Sequence, residues 1–391
     1  MKVKFILFEP SDFEGYPTGG SGTFSKNVVE LFGNEVALVG ITTSKEDRVG
    51  AWTKKVISDK EFDYFPVRYV KKNYSKKPLI PARLKWFLGL RKNKKNILRY
   101  DCSNVFIQSQ DSLLAIYGWS YTNICYRFAG LTNPLSMSRY KWVRLFDNLF
   151  EHYYIPKLKY VNTILAADSK EEIEIYSRKL GTYGIKNTIK QFPTRVDTNI
   201  FYPMHKRLEL RSKFGYGEHS KIVITTGRLS VVKGWQLLLD SFLFFQKEFL
   251  NSYFIFVGNG EEKNNIEAYV RKLGLVEQVK LVGYQDKTSL AELLNISDIY
   301  VMGSFYEGWP TSMVEALACG VPICSTNFGS AKEILNANIF GITVSDRDPI
   351  NFANSMKLVI NNNFVEDLYL KEMDKYSLKN FRDELSGHWQ I

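Results

Sequence analysis

Two carboxylates and two cations, set in glycine-bearing turns of the C-terminal half, are the residues of this chain best suited to hold a phosphorylated, hydroxyl-rich ligand. The acids belong to Glu307-Gly308-Trp309-Pro310-Thr311-Ser312-Met313-Val314-Glu315, which follows the apolar run Ile299 to Met302. Gly308 permits a sharp turn. Pro310 suits the first helical position, where its missing N–H is no loss. A helix starting there turns free amides and a positive dipole end toward the loop, which suits a phosphate. Glu307 in the loop and Glu315 about a turn into the helix can accept from hydroxyls at the two ends of one ligand. The plainer reading of the same string is a helix-initiating turn with a surface glutamate.

The cations belong to Thr225-Thr226-Gly227-Arg228-Leu229-Ser230-Val231-Val232-Lys233-Gly234, which also follows an apolar run. Gly227 and Gly234 open the backbone. Arg228 offers a planar fork that grips phosphate in bidentate fashion, and Lys233 adds a mobile point charge. A basic pair alone is more often a solvated loop; together with the Glu307 loop it points to a diphosphate. Two further turns are weaker signals. Gly258-Asn259-Gly260 reads more readily as a short strand-to-helix turn than as a ligand site. Pro17-Thr18-Gly19-Gly20-Ser21-Gly22 can cradle phosphate or yield to an acceptor as a mobile loop.

Asp346-Arg347-Asp348 invites a metal reading, but it lies well past the Glu307 loop and just before Pro349. Arg228, Lys233 and a helix start can neutralise charge where a metal otherwise does. No metal and no cofactor are expected. The four cysteines show no zinc or paired spacing, so reduced thiols of a cytosolic protein are the expectation.

These loops need rigid elements to carry them. In the first half, apolar runs at Val3 to Phe8, Glu35 to Gly40, Val105 to Ile107, Asn123 to Tyr126 and Thr163 to Ala167 read as strands, with helical stretches between. Ser169 and Glu172 have capping-box spacing ahead of one helix. After irregular text from Phe192 to Pro203 the grammar restarts. Strands are expected at Lys221 to Thr226, Tyr253 to Val257, Val279 to Val282, Ile299 to Met302 and Ile323 to Ser325. Alternation in both halves predicts an α/β chain of two Rossmann-like, doubly wound parallel-sheet domains, with ligands at the strands' carboxyl ends. The boundary falls near residue 200. The last segment, roughly Leu368 to Trp389, reads as helical.

The chain has 391 residues, 45% of them hydrophobic and 24% charged, which suits packed globular domains. No uncharged stretch approaches the ~20 residues of a membrane span, and the apolar run at the N-terminus is too short for a signal peptide. Net charge is +11, unevenly spread: twelve Lys or Arg and no acid lie between Arg68 and Arg99, with Trp86, Phe87, Leu88 and Leu90 among them. The segment reads either as a solvated helix from about Ala82 to Arg99 or as a patch for an anionic membrane. Nucleic acid is not expected as a partner, since no recognition motif accompanies the charge.

The C-terminal half resembles the retaining glycosyltransferases of family 4, which have the GT-B fold. The resemblance runs through Gly227-Arg228, Lys233-Gly234, Gly258-Asn259-Gly260, Gly283-Tyr284 and the acids Glu307 and Glu315. It continues to Ala318-Cys319-Gly320-Val321-Pro322 and Gly329 with Glu333, about 110 residues in all. The N-terminal half is similar more loosely, at Gly19-Gly20, Ala166-Ala167-Asp168-Ser169 and Phe192 to Asp197. Thr194-Arg195 departs from the family's usual linker.

By this resemblance Arg228 and Lys233 would neutralise the leaving diphosphate and Glu307 would hold the transferred sugar. These three form the implied catalytic set. Glu315 would bind the ribose hydroxyls, and Tyr284 would lie near the base. Gly227, Gly258, Gly308, Trp309, Pro310, Thr311 and Ser312 would line the donor site, and Gly19 and Gly20 would approach the phosphate when two facing domains close on a central cleft. The implied domains are 1–200 for the acceptor, 201–367 for the nucleotide sugar, and a helix at 368–391 crossing back to the first.

One departure bears on activity. Family members carry a histidine in a His-Gly pair after a central N-terminal strand; here the matching place reads Tyr126-Arg127-Phe128-Ala129-Gly130. Ala129 stands where an imidazole would orient the sugar: either Arg127, Asp12 or Glu14 compensates in substrate binding, or activity is low, or the site is altered. The expected activity is metal-independent, retaining transfer of a hexose-like sugar. The donor is a nucleotide diphosphate sugar, with UDP first on family frequency. The acceptor is a glycan or lipid-linked molecule, in cell-surface polysaccharide or glycolipid synthesis, at the inner face of the membrane. A non-catalytic sugar-nucleotide-binding subunit and a GT-B epimerase are the alternatives. Turnover by the chain alone discriminates the first, and acceptor-dependent nucleotide release the second.

Overall fold

The computed structural model describes residues 2–17, 20–72, 80–131, 133, 135, 144–335, 339–362 and 373–391. The chain divides into two units, Met1–Thr194 with Asn380–Ile391, and Arg195–Lys379.

The N-terminal unit is built on strands β1 (Phe5–Phe8), β2 (Val36–Thr42), β3 (Thr53–Ile57), β4 (Lys60–Tyr69), β5 (Asn104–Ile107), β6 (Asn123–Phe128), β7 (Thr163–Ala166) and β8 (Ile189–Gln191). They form one sheet in the order β3-β4-β2-β1-β5-β6-β7-β8, parallel except for the β3–β4 hairpin. Every residue of β1 and β2 is buried, which is why both read as continuous apolar runs. Helices α1 (Gly20–Phe32), α2 (Ala82–Ile97), α3 (Gln110–Ile116), α4 (Asp147–Tyr154) and α5 (Lys170–Thr182) belong to the same unit. Ser169 and Glu172 close a reciprocal capping box at the start of α5.

The sequence reading contained no hairpin between β2 and α2. Asp63, Pro66 and Arg68 interrupt the apolar pattern of β4, which a place near the sheet edge tolerates. The hairpin's tight turn is made by Ser58 and Asp59, both with positive φ (48° and 61°).

The C-terminal unit holds β9 (Lys221–Thr226), β10 (Ser252–Val257), β11 (Val279–Gly283), β12 (Ile299–Met302), β13 (Ile323–Thr326) and β14 (Gly341–Val344). Its helices are α6 (Arg207–Lys213), α7 (Trp235–Phe245), α8 (Lys263–Lys272), α9 (Lys287–Ile296), α10 (Thr311–Ala318), α11 (Ala331–Ile334) and α12 (Pro349–Asn361). The sheet is parallel throughout, in the order β11-β10-β9-β12-β13-β14. From β9 the chain moves outward through β10 and β11, then returns to place β12 on the other side of β9. That reversal creates a crevice at the carboxyl ends of β9 and β12.

The last helix, α13 (Phe381–Trp389), packs within the N-terminal unit. Trp389 is buried with its ring 5.0 Å from Phe5 and 5.9 Å from Phe106, and Arg382 pairs with Glu35 at 2.7 Å. Met373–Lys379, by contrast, groups with the C-terminal unit: Val196 bridges Ser377 in parallel register and Trp309 lies 5.5 Å from the Tyr376 ring.

Candidate functional site

The loops that leave β9 and β12 are laced together at the reversal point. The Phe305 amide donates to the Val232 carbonyl at 2.9 Å. A Cβ on Gly234, whose φ is +62°, would lie 1.9 Å from the Gly303 carbonyl oxygen, so only glycine permits this approach. Arg347 reinforces the second loop from outside, donating to the Gly303 carbonyl at 2.9 Å while its guanidinium lies 3.6 Å from the Phe305 ring centroid. Its neighbours Asp346 and Asp348 are engaged locally. Asp348 caps α12 by accepting from the Ile350 and Asn351 amides at 2.9 Å, and Asp346 accepts from the Asn351 amide group at 3.0 Å.

This lacing brings Lys233 against Glu307. Nζ donates to Oε1 at 2.6 Å across 74 residues of sequence, and Ser304 Oγ donates to the same oxygen at 2.8 Å. Both side chains are half-buried, and a pocket lined by Thr226, Gly227, Arg228, Ser230, Lys233 and Ser304 opens beside them. Arg228 points elsewhere: its guanidinium pairs with Glu261 at 3.0 Å, a partner that the sequence reading did not name. The pairing follows from the Gly258 turn. A Cβ on Gly258 would sit 1.9 Å from the Gly227 carbonyl oxygen, and Leu229 donates to the Asn259 carbonyl at 3.1 Å. In the protein as described, Gly258 brings the loop after β10 against the loop after β9.

Helix α10 begins at Thr311, and Pro310 precedes it as the cap residue in an extended conformation. The expectation that Pro310 opens the helix is therefore shifted by one position. The Pro310 carbonyl accepts from the Met313 amide at 3.0 Å, and Pro310 lends the start a fixed φ of −74°. Gly308, Trp309 and Pro310 are buried, and Thr311 and Ser312 partly so. Trp309 Nε1 and Thr311 Oγ1 are buried with no hydrogen-bond partner among the described residues. Burial pushes the Glu315 carboxyl up to about 7, against the pull of Lys287. Beneath these loops the buried Tyr300 hydroxyl donates to the Thr226 carbonyl at 3.4 Å. Tyr284, just past β11, is exposed.

In the N-terminal unit Gly19 lies outside the described residues. Gly20 is exposed at the start of α1, with open space where a Cβ would project. Arg127 is a correction to the substrate-binding set. It is buried, and its three nitrogens donate to the Phe192 carbonyl (2.9 Å), Gln108 Oε1 (2.9 Å) and Thr194 Oγ1 (3.0 Å). Its guanidinium also stacks 3.8 Å from the Phe24 ring centroid. A side chain on the last turns of β6 points into the core rather than past the sheet edge. Asp12 and Glu14 are engaged as well. Asp12 Oδ1 accepts three loop amides at 2.8 to 3.0 Å, and Glu14 pairs with Lys55 at 2.8 Å. Ala129, one residue past β6, is exposed.

Gln108 extends the Arg127 network to the buried Glu9, donating to its Oε2 at 3.1 Å. Burial pushes the Glu9 carboxyl up to about 7, although hydrogen bonds and Arg127 pull it down. Between its ordinary value and 7 the folded chain keeps a proton that the unfolded chain has lost, so Glu9 costs stability as pH rises through that window. Glu9→Gln is expected to gain stability relative to the parent between pH 5 and pH 8, read by urea unfolding at both. An identical difference at the two pH values would refute the shift.

Residues 206–379 match the model of glycosyl transferases group 1. The C-terminal unit is a glycosyl transferases group 1 domain. Arg228, Lys233, Glu307 and Glu315 all fall within the matched span. Among curated relatives, mannosylfructose-phosphate synthase of Agrobacterium fabrum is 32% identical over 158 residues, covering 38% of this chain and 34% of the relative. A probable sucrose-phosphate synthase of Thermosipho melanesiensis is 27% identical over 230 residues, covering 56% of the chain and 52% of the relative. These alignments thus span a third to a half of the relatives' own length. Among solved structures, sucrose-phosphate synthase from Thermosynechococcus elongatus superposes with a TM-score of 0.71 at 16% identity, covering 99% of this chain and 95% of that one. Anabaena HepE in complex with UDP and glucose gives 0.71 at 14% identity, with 98% of each chain covered. The fold is GT-B, two Rossmann-like units, and family 4 membership is consistent with all four.

Proposed function

We propose that this chain is a retaining, metal-independent glycosyltransferase that moves a sugar from a nucleotide diphosphate sugar to a glycan or lipid-linked acceptor. The observation that carries the reading is the meeting of Lys233 and Glu307, at 2.6 Å, over the carboxyl ends of β9 and β12. In this reading Lys233 shifts from Glu307 toward the leaving diphosphate, and Glu307 accepts from a hydroxyl of the transferred sugar. Arg228 turns from Glu261 to the same phosphates. That exchange is inexpensive, because a largely solvated ion pair contributes little. The amides of the first turn of α10 add a fixed positive field. Glu315 accepts from the ribose hydroxyls, a role that requires its carboxylate form. Transfer with retention proceeds by front-face attack, the leaving phosphate taking the acceptor's proton. HepE and an Escherichia coli trehalose-6-phosphate protein, solved with UDP or a UDP sugar, support UDP as the nucleotide. The acceptor belongs to cell-surface polysaccharide or glycolipid synthesis at the inner membrane face.

The experiment is a thermal-shift panel of UDP-, GDP-, ADP- and dTDP-sugars. A ligand at a hundredfold its Kd stabilises the folded state by about 2.7 kcal/mol. A UDP sugar is expected to raise Tm most, and a panel with no stabilising member would sink the donor site. A second reading, a non-catalytic donor-binding subunit, draws on Ala129 at the carboxyl end of β6. Donor hydrolysis or transfer by the purified chain rules it out; binding without turnover across acceptors supports it.

A further inference from the structure

A group of exposed large apolar and aromatic side chains lies around α4. Leu145 is 82% exposed, Leu149 66%, Tyr153 60% and Tyr160 60%, and Phe146 is exposed beside them. Leu149 and Tyr153 lie one turn apart on one face of α4, with the exposed His152 beside them, and Leu145 and Phe146 are exposed in the turn just before it. Phe150 and Tyr154 serve the core from a neighbouring face, stacked at 5.8 Å with Tyr154 against Tyr126. The outer stripe is therefore surplus to folding. Asp147 and Glu151 lie off it, and Glu151 is held by Lys179 at 2.5 Å.

Cations border the stripe. Lys157 Nζ lies 4.9 Å from the Tyr153 ring centroid and 4.6 Å from that of Tyr117, and Tyr117 meets Tyr160 edge-on at 5.0 Å. Tyr117 ends α3, and α2 adjoins there: Arg91 donates to the Ala115 carbonyl at 3.3 Å. Helix α2 carries basic residues and no acid, with Leu84 and Leu88 exposed one turn apart. Aliphatic side chains, tyrosines with a polar tip and flanking ammonium groups match the layers of a bilayer interface. A two-fold contact between copies would set these cations against their own likeness.

We infer that the N-terminal unit docks on an anionic lipid bilayer through the Leu145–Tyr160 stripe, with the cations of α2 resting on the headgroups. The inference deepens the proposed acceptor assignment, but docking is measured without donor or acceptor. The full chain is sedimented with phosphatidylcholine vesicles, with and without 30% phosphatidylglycerol, alongside a Leu145→Ser/Leu149→Ser double variant. Both positions are solvent-exposed, so the variant should melt as the parent does. At least tenfold tighter partitioning on the anionic vesicles, reduced tenfold or more by the double variant, is the expected result. Equal partitioning on both vesicles, no partitioning, or an unaltered double variant would overturn the inference. So would a concentration-dependent dimer abolished by the same substitutions, since the stripe would then belong to a second copy. Lys233→Ala is expected to bind vesicles as the parent does, so failure of the donor reading leaves the docking result intact.

Discussion

Replacing Lys233 with alanine is expected to lower turnover about a hundred- to thousandfold while leaving the melting temperature nearly unchanged. The half-buried ammonium sits at the crevice of the transferase domain, 2.6 Å from Glu307. Charge that develops on a leaving diphosphate needs a fixed partner there, and losing one such donor costs about 3–4 kcal/mol of transition-state stabilisation. Stability should barely respond, because the pair is partly solvated and Ser304 still donates to Glu307. Glycosyl transfer and donor hydrolysis, measured beside a thermal melt, check the result. Full turnover in a folded Lys233→Ala protein would remove Lys233 from the diphosphate and leave its contact with Glu307 as a strut between two loops.

The opposite pattern is expected at Arg127. Arg127→Met should destabilise the N-terminal unit by about 3–5 kcal/mol, the range for breaking a buried charged network by removing one partner. The substitution removes the Arg127 donor from the Phe192 carbonyl, Gln108 Oε1 and Thr194 Oγ1, and with it the positive charge that pulls the Glu9 carboxyl down. Burial also draws the Arg127 guanidinium down to about 9, against the pull of Asp168 and Glu9, so the site already holds the charge at a cost. Urea unfolding of the full chain measures the loss. A destabilisation under 1 kcal/mol with turnover abolished would return Arg127 to the substrate-binding set.

Those two residues show how differently the sequence spoke about its two halves. Lys233 and Glu307 announced themselves because loops after buried parallel strands emerge at one sheet edge, so apolar runs followed by Gly, Lys and Glu already suggest a shared site. The strand pattern was legible for the same reason: strands buried on both faces, such as Phe5–Phe8 and Ile299–Met302, must be apolar almost throughout. Arg127 misled. A basic residue at the end of an apolar run looks like a ligand group, and nothing local reports that Gln108, Phe192 and Thr194 wait to receive it. The β3–β4 hairpin escaped because a strand near the sheet edge can carry Asp63, Pro66 and Arg68 without the periodicity that marks a core.

The sequence by itself determined the class of the fold, the two-part plan and the identity of the cations and acids, since these depend on residue type and short spacing. Only the tertiary structure decided that Lys233 faces Glu307 and Arg228 faces Glu261, that α10 begins at Thr311, and that Arg127 is buried. It alone decided that α13 packs beside Phe5 and that Leu145, Leu149 and Tyr153 face outward. Each of these depends on which distant segment occupies the neighbouring space, and contacts across dozens or hundreds of residues leave no trace in local composition.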